Sequence, residues 1–410
     1  MINNEFEFHP VGQGLFYTGI IGDFVMVYDV GTLSSQTYIK NEIDLFSQKL
    51  SINHHKKIID VLFLSHYDED HISGIEYLLN SGFHINKIIA PLITPLIELL
   101  WLSSTPFRHN SSIYRSLQSI LQEYTDNFIQ VEATQESDYA DIQIPSDDED
   151  RDNLEDISSN NLRSNRLANV ATMRLSDFWQ FTFFAQAIQQ SWVRNWLLSI
   201  LTYLNNQHGL KNTNTYQSMD NDELANEIYT YVNQLYTSTK PRANINHLIA
   251  AIRKITKTLR LKSSQRNLVS LILYHRPITV NSSSRFKSRL SKNRKLFLYK
   301  NNAQLLTGDS VFKDYKQLTP LPTWHIFKKI LPRFKNVDLM LLPHHGSKYG
   351  WHDELLAYSN RFVVSYGLGN SFSHPNALVI NKIISDPSYF SGRLIQVNQK
   401  PNFGLLIYVV

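Results

Sequence analysis

Apolar and polar positions divide the chain into three textures. Over the first ninety residues, short aromatic and β-branched runs alternate with tight turns. Leu15 to Gly19 and Phe24 to Asp29 read as strands separated by the hairpin signal Gly22-Asp23. A helix is expected from Tyr38 to Lys49, a strand from Ile58 to Leu64, a helix from Ile72 to Asn80 and a strand from Ile85 to Ile89. From about Ile93 to Lys262 the pattern becomes helical, with stripes such as Trp192-Trp196-Ile200-Leu204 and Leu224-Ile228-Val232-Leu235 that read as packing faces. One segment there, Phe178-Trp179-Gln180-Phe181-Thr182-Phe183, alternates like a strand, so the pattern predicts two helical insertions around one returning strand. Strands return at Asn267 to Tyr274 and Lys295 to Leu306. The last third then alternates strand and helix: Val337 to Leu342, Glu354 to Ser359, Phe362 to Tyr366, Pro375 to Ile384, Leu394 to Asn398 and Gly404 to Val409. No repeat of solenoid period is visible.

Composition narrows the class. A chain of 410 residues with 42% hydrophobic and 19% charged residues has ample material for a folded core. The net charge of +4 says little about partners, but its distribution says more. Ser137 to Asn165 is rich in Asn, Ser and acids, a composition expected of disorder. Arg253 to Lys300 carries basic residues and no acid, which suits either a phosphate-tracking surface or a solvated helix face with a basic loop. With no cysteine, a thiolate site or disulfide framework is excluded, and any metal falls to histidine and carboxylate. The first residues lack a basic segment followed by an apolar stretch, so no signal peptide is expected. Phe178 to Leu204 is interrupted by polar residues and makes a poor membrane span. A cytoplasmic protein without a membrane association is the expectation.

Candidate chemistry sits where apolar runs end. Val61-Leu62-Phe63-Leu64 is followed by Ser65-His66-Tyr67-Asp68-Glu69-Asp70-His71, four potential metal ligands in an H-x-D-x-D-H pattern. A loop beyond a strand end can aim several short carboxylates and imidazoles at one point. Leu305-Leu306 leads into Thr307-Gly308-Asp309. Leu341-Leu342 leads into Pro343-His344-His345-Gly346-Ser347, and Tyr366 leads into a loop ending at His374-Pro375. Four ligand-rich clusters at strand ends are better explained by one shared site than by four unrelated turns.

With Val11-Gly12-Gln13-Gly14 and Asp29-Val30-Gly31, these clusters occur in an order that resembles metallo-β-lactamase-fold hydrolases. The nearest likeness is to the soluble hydrolase domain of the competence DNA-uptake channel protein ComEC. The resemblance covers roughly residues 8–92 and 264–410. It implies an α/β fold, specifically an αββα sandwich with large helical insertions in the middle of the chain. The corresponding division is a hydrolase domain of residues 1–92 and 264–410 and a mainly helical region of 93–263. It implies one or two Zn²⁺ or Mn²⁺ ions, His66 and Asp68 holding one, Asp70 and His71 the other, and Asp309 bridging. One of His344 and His345 would complete the second set, since neighbours on an extended segment point opposite ways. The implied activity is a metal-dependent hydrolase, most simply a phosphodiesterase or nuclease using a metal-bridged hydroxide. Asp70 would orient the nucleophile, while His374 would contact the phosphate or protonate the leaving oxygen. Ser347 and the Gly346 amide are further candidates for anion contacts. Two departures stand out: Asp68 replaces the histidine common in the family, and no histidine suits the usual ligand position between the first motif and Asp309. His84, His109, His208, His247 and His275 all lie in unsuitable contexts. An oxygen-rich donor set makes Mn²⁺ a competitor to Zn²⁺. The alternatives are hydrolysis of another ester or lactone bond, and a subunit active only within a multi-protein complex, a defence system included, whose partner binds the helical insertion.

Overall fold

A computed structural model describes residues 4–104, 116–134, 155–159, 166–167, 170–187, 192–208, 216–236, 241–259, 269–278, 288–291, 294–299, 303–312, 324, 327–328, 334 and 337–409. The strands, in chain order, begin with β1 (Asn4–Phe8), β2 (Phe16–Ile21), β3 (Phe24–Val30), β4 (Ile58–Ile59), β5 (Val61–Phe63), β6 (His84–Ile85) and β7 (Lys87–Pro91). Next come β8 (Asn127–Val131), β9 (Ala133–Thr134), β10 (Arg166–Leu167), β11 (Val170–Leu175), β12 (Trp179–Ala187) and β13 (Val269–Pro277). The last are β14 (Ser288–Ser291), β15 (Arg294–Tyr299), β16 (Ala303–Leu306), β17 (Val337–Leu341), β18 (Ser359–Ser365), β19 (Leu394–Val397) and β20 (Leu405–Val409). The helices are α1 (Gln36–Ile52), α2 (Glu69–Ile72), α3 (Ile75–Asn80), α4 (Pro95–Ser104), α5 (Leu117–Glu123), α6 (Val193–His208), α7 (Asn221–Tyr236), α8 (Pro241–Thr258) and α9 (Ala377–Ile384).

Two sheets carry the fold. The first runs β10-β8-β7-β5-β3-β2-β1-β20-β15-β14, and the second β11-β12-β13-β16-β17-β18-β19 with β9 beside β12. Period-two patterning explains why they pack face to face. On β3, Phe24, Met26 and Tyr28 enter a core shared with Phe181 and Phe183 of β12 and Leu271 and Leu273 of β13. The intervening Val25 and Val27 face the other way, under a layer that includes α1, α3 and α5. The second sheet repeats this: Val363 points inward, while Phe362 and Val364 pack outward with α9 residues Val379 and Ile383. The layers are therefore helix, sheet, sheet, helix, a mixed α/β architecture consistent with the metallo-β-lactamase fold.

Local chemistry sets the element ends. Ser35 caps α1 by accepting from the Thr37 amide at 3.3 Å, and Ile39, Ile43, Phe46 and Leu50 then recur along its buried face. On the outer face of β1, Lys49 of α1 pairs with Glu5 and, at 2.8 Å, with Glu7, while His9 meets Glu42 at 3.0 Å. The strand expected over Ile58 to Leu64 is broken at Asp60, whose carboxylate accepts from the Val25 amide at 2.8 Å in place of a backbone partner. The strand expected over Lys295 to Leu306 is two strands in different sheets: β15 pairs β20 and β16 pairs β13 and β17.

The middle of the chain is richer in strand than its apolar stripes predict. β12 is the returning strand, but β8, β9, β10 and β11 join the sheets as well. Among the described residues α4, α6, α7 and α8 form a separate cluster, around Trp196, Leu197, Ile200, Leu224, Ile228 and Ile249. Among the described residues no helix is long and apolar enough to cross a membrane. Most of Ser137 to Asn165, and residues 260–268, 279–287, 292–293 and 300 of the basic stretch, lie outside the described residues. Of the basic side chains that are described, Lys254 and Lys257 are exposed on α8, and Arg276 hydrogen-bonds Gln180 at 3.3 Å.

Candidate metal centre

β3 and β5 run parallel in the first sheet, and β16, β17 and β18 run parallel in the second. Their carboxyl ends meet at one edge of the sandwich, so the segments following them converge. Backbone bonds tie them together: the Leu271 amide donates to Ser65 at 2.7 Å, the Leu15 amide to Asp70 at 3.1 Å and the His344 amide to Gly308 at 2.9 Å. The approach is close enough to require glycine. A Cβ on Gly31 would lie 2.5 Å from the Asp70 carbonyl carbon, and one on Gly308, with φ +51°, 2.6 Å from Ser65 Cβ.

Asp309 is the hub. Its Oδ2 lies 3.7 Å from His66 Nε2 and 3.3 Å from His344 Nδ1, and its Oδ1 lies 3.4 Å from His71 Nε2 and 3.9 Å from His345 Nε2. Asp70 Oδ2 is 3.3 Å from His345 Nε2 and 3.9 Å from His71 Nε2. Three overlapping groups have ligand atoms within 4.8 Å of one another: His66, His71 and Asp309; Asp70, His71 and His345; and His66, Asp68 and Asp70. All these side chains are buried except Asp68, which is half-buried at the N-terminus of α2.

Two of the imidazoles, those of His71 and His345, are held through Nδ1. His71 Nδ1 meets Asp29 Oδ2 at 2.7 Å, and His345 Nδ1 donates to the Ser365 carbonyl at 2.8 Å. In the neutral rings the Nε2 atoms then carry lone pairs, buried without a hydrogen-bond partner and facing the carboxylates of Asp70 and Asp309. Lone pair against anion is repulsive unless a positive charge lies between, a proton or a metal ion. The protonation equilibria express the same demand. Burial opposes charge on His71, yet Asp29, Asp70 and Asp309 outweigh it and raise its pKa well above the usual value. Burial also opposes charge on His345, and Asp70 and Asp309 raise it. Asp309 is held well below the carboxylate range because His344, His66 and His71 overcome its burial. His66 goes the other way, pushed down to about 3 by burial and by His71. Two carboxylates and fixed imidazole lone pairs are a donor set that fits a divalent cation.

Asp29 is the residue for which the sequence reading assigned no role. Fully buried, with φ +54°, it accepts from the Ser65 amide at 2.7 Å and hydroxyl at 2.6 Å as well as meeting His71. It orients His71 as outer carboxylates commonly orient metal-bound histidines. Its signal was present, a polar residue ending an apolar strand, but one carboxylate at a turn has no spacing to mark it.

His344 and His345 do not alternate. Both have left-handed backbone, φ +48° and +53°, in a tight turn, so both side chains face Asp309. The expectation that one of them points away assumed an extended segment and does not hold. His374 lies beside them, its ring 5.5 Å from that of His344, and burial together with His344 and His345 pushes its pKa down to about 4. Ser347 is buried, with its hydroxyl accepting from the Tyr349 amide at 3.1 Å. Of the histidines set aside, His275 is buried between the sheets against Tyr17 at 2.9 Å and His84 pairs with Asp126 on the surface. His109 lies outside the described residues. A further buried group, Glu7, His9 and Glu42, has Lys49 beside it as countercharge.

Fold and site together define a two-sheet α/β protein with a buried histidine–aspartate centre at one edge. No family model matches the chain, and no curated protein matches it. Among solved structures it is similar to the metallo-β-lactamase-fold protein YhfI from Bacillus subtilis, at 9% identity over 99% of this chain and 100% of that one, with a TM-score of 0.35. It is also similar to a long-form RNase Z from yeast, at 8% identity over 88% of this chain and 36% of that one, with a TM-score of 0.31.

Proposed function

We propose that the protein is a metal-dependent phosphodiesterase acting on nucleic acid or a nucleotide. The observation that carries this is the pair of buried Nε2 atoms, on His71 and His345, that lack a hydrogen-bond partner and face the carboxylates of Asp70 and Asp309. In this reading Asp309, Asp70, His71 and His345 hold one cation, with His66, Asp68 and His344 as donors for a second; Zn²⁺ and Mn²⁺ both suit the set. Such cations, when bound, supply Lewis-acid stabilisation of phosphate oxygens and make water acidic enough to react near neutral pH. Asp70 orients the attacking water and accepts its proton at a carboxylate oxygen. His374, half-buried beside His344, hydrogen-bonds a phosphate oxygen, and the Gly346 amide and Ser347 are further anion contacts. Asp29 keeps the His71 Nδ1 proton in place. The ComEC-like order of motifs supports a polynucleotide substrate. The division into residues 1–92 and 264–410 against 93–263 belongs to this reading, amended in that the strands of 93–263 extend the sandwich.

The test is hydrolysis of bis-p-nitrophenyl phosphate and of single- and double-stranded DNA and RNA with Mn²⁺, Zn²⁺ or Mg²⁺. An Asp70→Ala, His71→Ala variant is expected to lose at least about a hundredfold in kcat/KM, the scale of removing a principal electrostatic group. Equal activity of variant and wild type would overturn the reading.

A further inference from the structure

Beside the centre, the loop from Gly367 to His374 presents an exposed ring. Phe372 is 39% exposed, and it stacks on His374 with centroids 6.2 Å apart and planes 17° from parallel. His374 packs on His344, which faces Asp309. Rings therefore lead from the surface to the carboxylate hub.

The loop is tied in this shape. Asn370 Oδ1 accepts from the amides of Phe372 and His374 at 3.0 and 3.1 Å, and its Nδ2 donates to the carbonyls of Gly367 and His374 at 2.6 and 2.5 Å. Gln399 accepts from the Leu368 amide at 2.8 Å and Gln13 from the Gly367 amide at 3.3 Å. An ordered loop that exposes a phenyl ring bears the hydration cost of that surface without burying it in the fold. Leu33, on the loop after β3, and Leu368 are likewise 45% and 41% exposed.

We propose that Phe372 is a stacking platform for a nucleobase next to the scissile phosphodiester, so that the substrate is a single-stranded or otherwise unpaired polynucleotide. The proposal rests on the phosphodiesterase reading. A flat ring backed by a second ring and open to solvent matches a base; an acyl chain needs a concave wall, which a protruding phenyl does not provide. Base–aromatic stacking is sequence-tolerant, so this platform selects unpaired strands and not particular bases. Phe372 is a specificity residue and takes no part in the bond-breaking step.

The experiment compares single-stranded oligothymidylate with the same oligomer carrying one base-free tetrahydrofuran residue, using the full chain loaded with Mn²⁺. Wild type should cleave bonds flanking a base roughly tenfold or more faster than those flanking the base-free residue. Phe372→Ala should bring that ratio near one, chiefly through KM, and Phe372→Trp should retain it. A ratio unchanged in Phe372→Ala overturns the proposal, as does an equal drop on a diacyl phosphodiester. If wild type cleaves no phosphodiester, the proposed function fails and binding still decides the platform. By calorimetry, tighter binding of thymidine 5′-monophosphate than of deoxyribose 5-phosphate, lost in Phe372→Ala, upholds it. Equal or absent binding overturns it.

Discussion

His344 and His345 hold adjacent left-handed conformations, at φ +48° and +53°, that cost a residue with a Cβ about 1 kcal/mol or more each. Clustering of such strain at a centre fits its use in aiming both rings at one carboxylate. It also reverses an ordinary ranking. Glycine normally weakens a fold relative to alanine, but here His345→Gly should be more stable than His345→Ala by about 1 kcal/mol, because both lose the ring and only glycine loses the strain. Urea unfolding in the presence of a chelator measures this, and an alanine variant at least as stable as the glycine variant would refute it. The candidate site residues were legible as a group because each cluster follows an apolar run directly: His66 to His71 after β5, Asp309 after β16, His344 and His345 after β17. Asp29 and Ser65 act one bond further out, and their types are ordinary for a turn. The direction of His345 depended on a backbone conformation that residue types do not specify.

At the scale of elements, β17 carries an irregularity at the end opposite the centre. Ala303 pairs with Val337 and Gln304 with Leu339, leaving Asp338 as the extra residue. Its carboxylate accepts from the Ala303 amide at 3.3 Å and from Asn360 Nδ2 at 3.2 Å, so it laces the starts of β16, β17 and β18. Burial pushes its pKa up to about 6 against the hydrogen bonds. Between about pH 4, the unfolded value, and pH 6, the folded protein binds more protons than the unfolded chain. The Asp338 contribution is therefore fully present below pH 4 and lost as pH rises through 6. Asp338→Asn should remove that slope, so that its stability relative to wild type rises by about 1 kcal/mol from pH 5 to pH 7.5, less than the shift alone would give because the half-buried group is screened. The acceptor oxygen that the amide lacks costs the same at both pH values. Urea unfolding at pH 5 and 7.5 checks it; the same pH difference in variant and wild type would count against it. Element by element, the long alternations such as β3 and β12 were readable. β9 and β10 have two residues each, and no alternation can be seen in two positions. β8 and β11 are short segments completed by neighbours distant in sequence, β7 and β12, and the helical texture around them masked their period.

Across the whole molecule, the centre joins the ends of five strands drawn from both sheets, so a bound cation acts as a clasp on the sandwich. A ligand that binds only the folded state stabilises it by about 2.7 kcal/mol at a hundredfold excess over Kd. Thermal unfolding should therefore move upward with Mn²⁺ or Zn²⁺ and return with a chelator; a Tm indifferent to both ions and to the chelator would contradict the donor assignment. The sheet pairing also has a consequence in time. β1 lies between β2 and β20, with Asn4 opposite Val409, so its two neighbours come from opposite ends of the described residues. On the ribosome, β1 and the loop from His66 to His71 emerge long before Asp309, His345 and β20 exist to complete them. Contacts this distant in sequence form slowly. Metal capture and closure of the first sheet are then late and nearly simultaneous events, and a newborn chain carries its half-built ligand loop, unsheltered, until those later segments have been made.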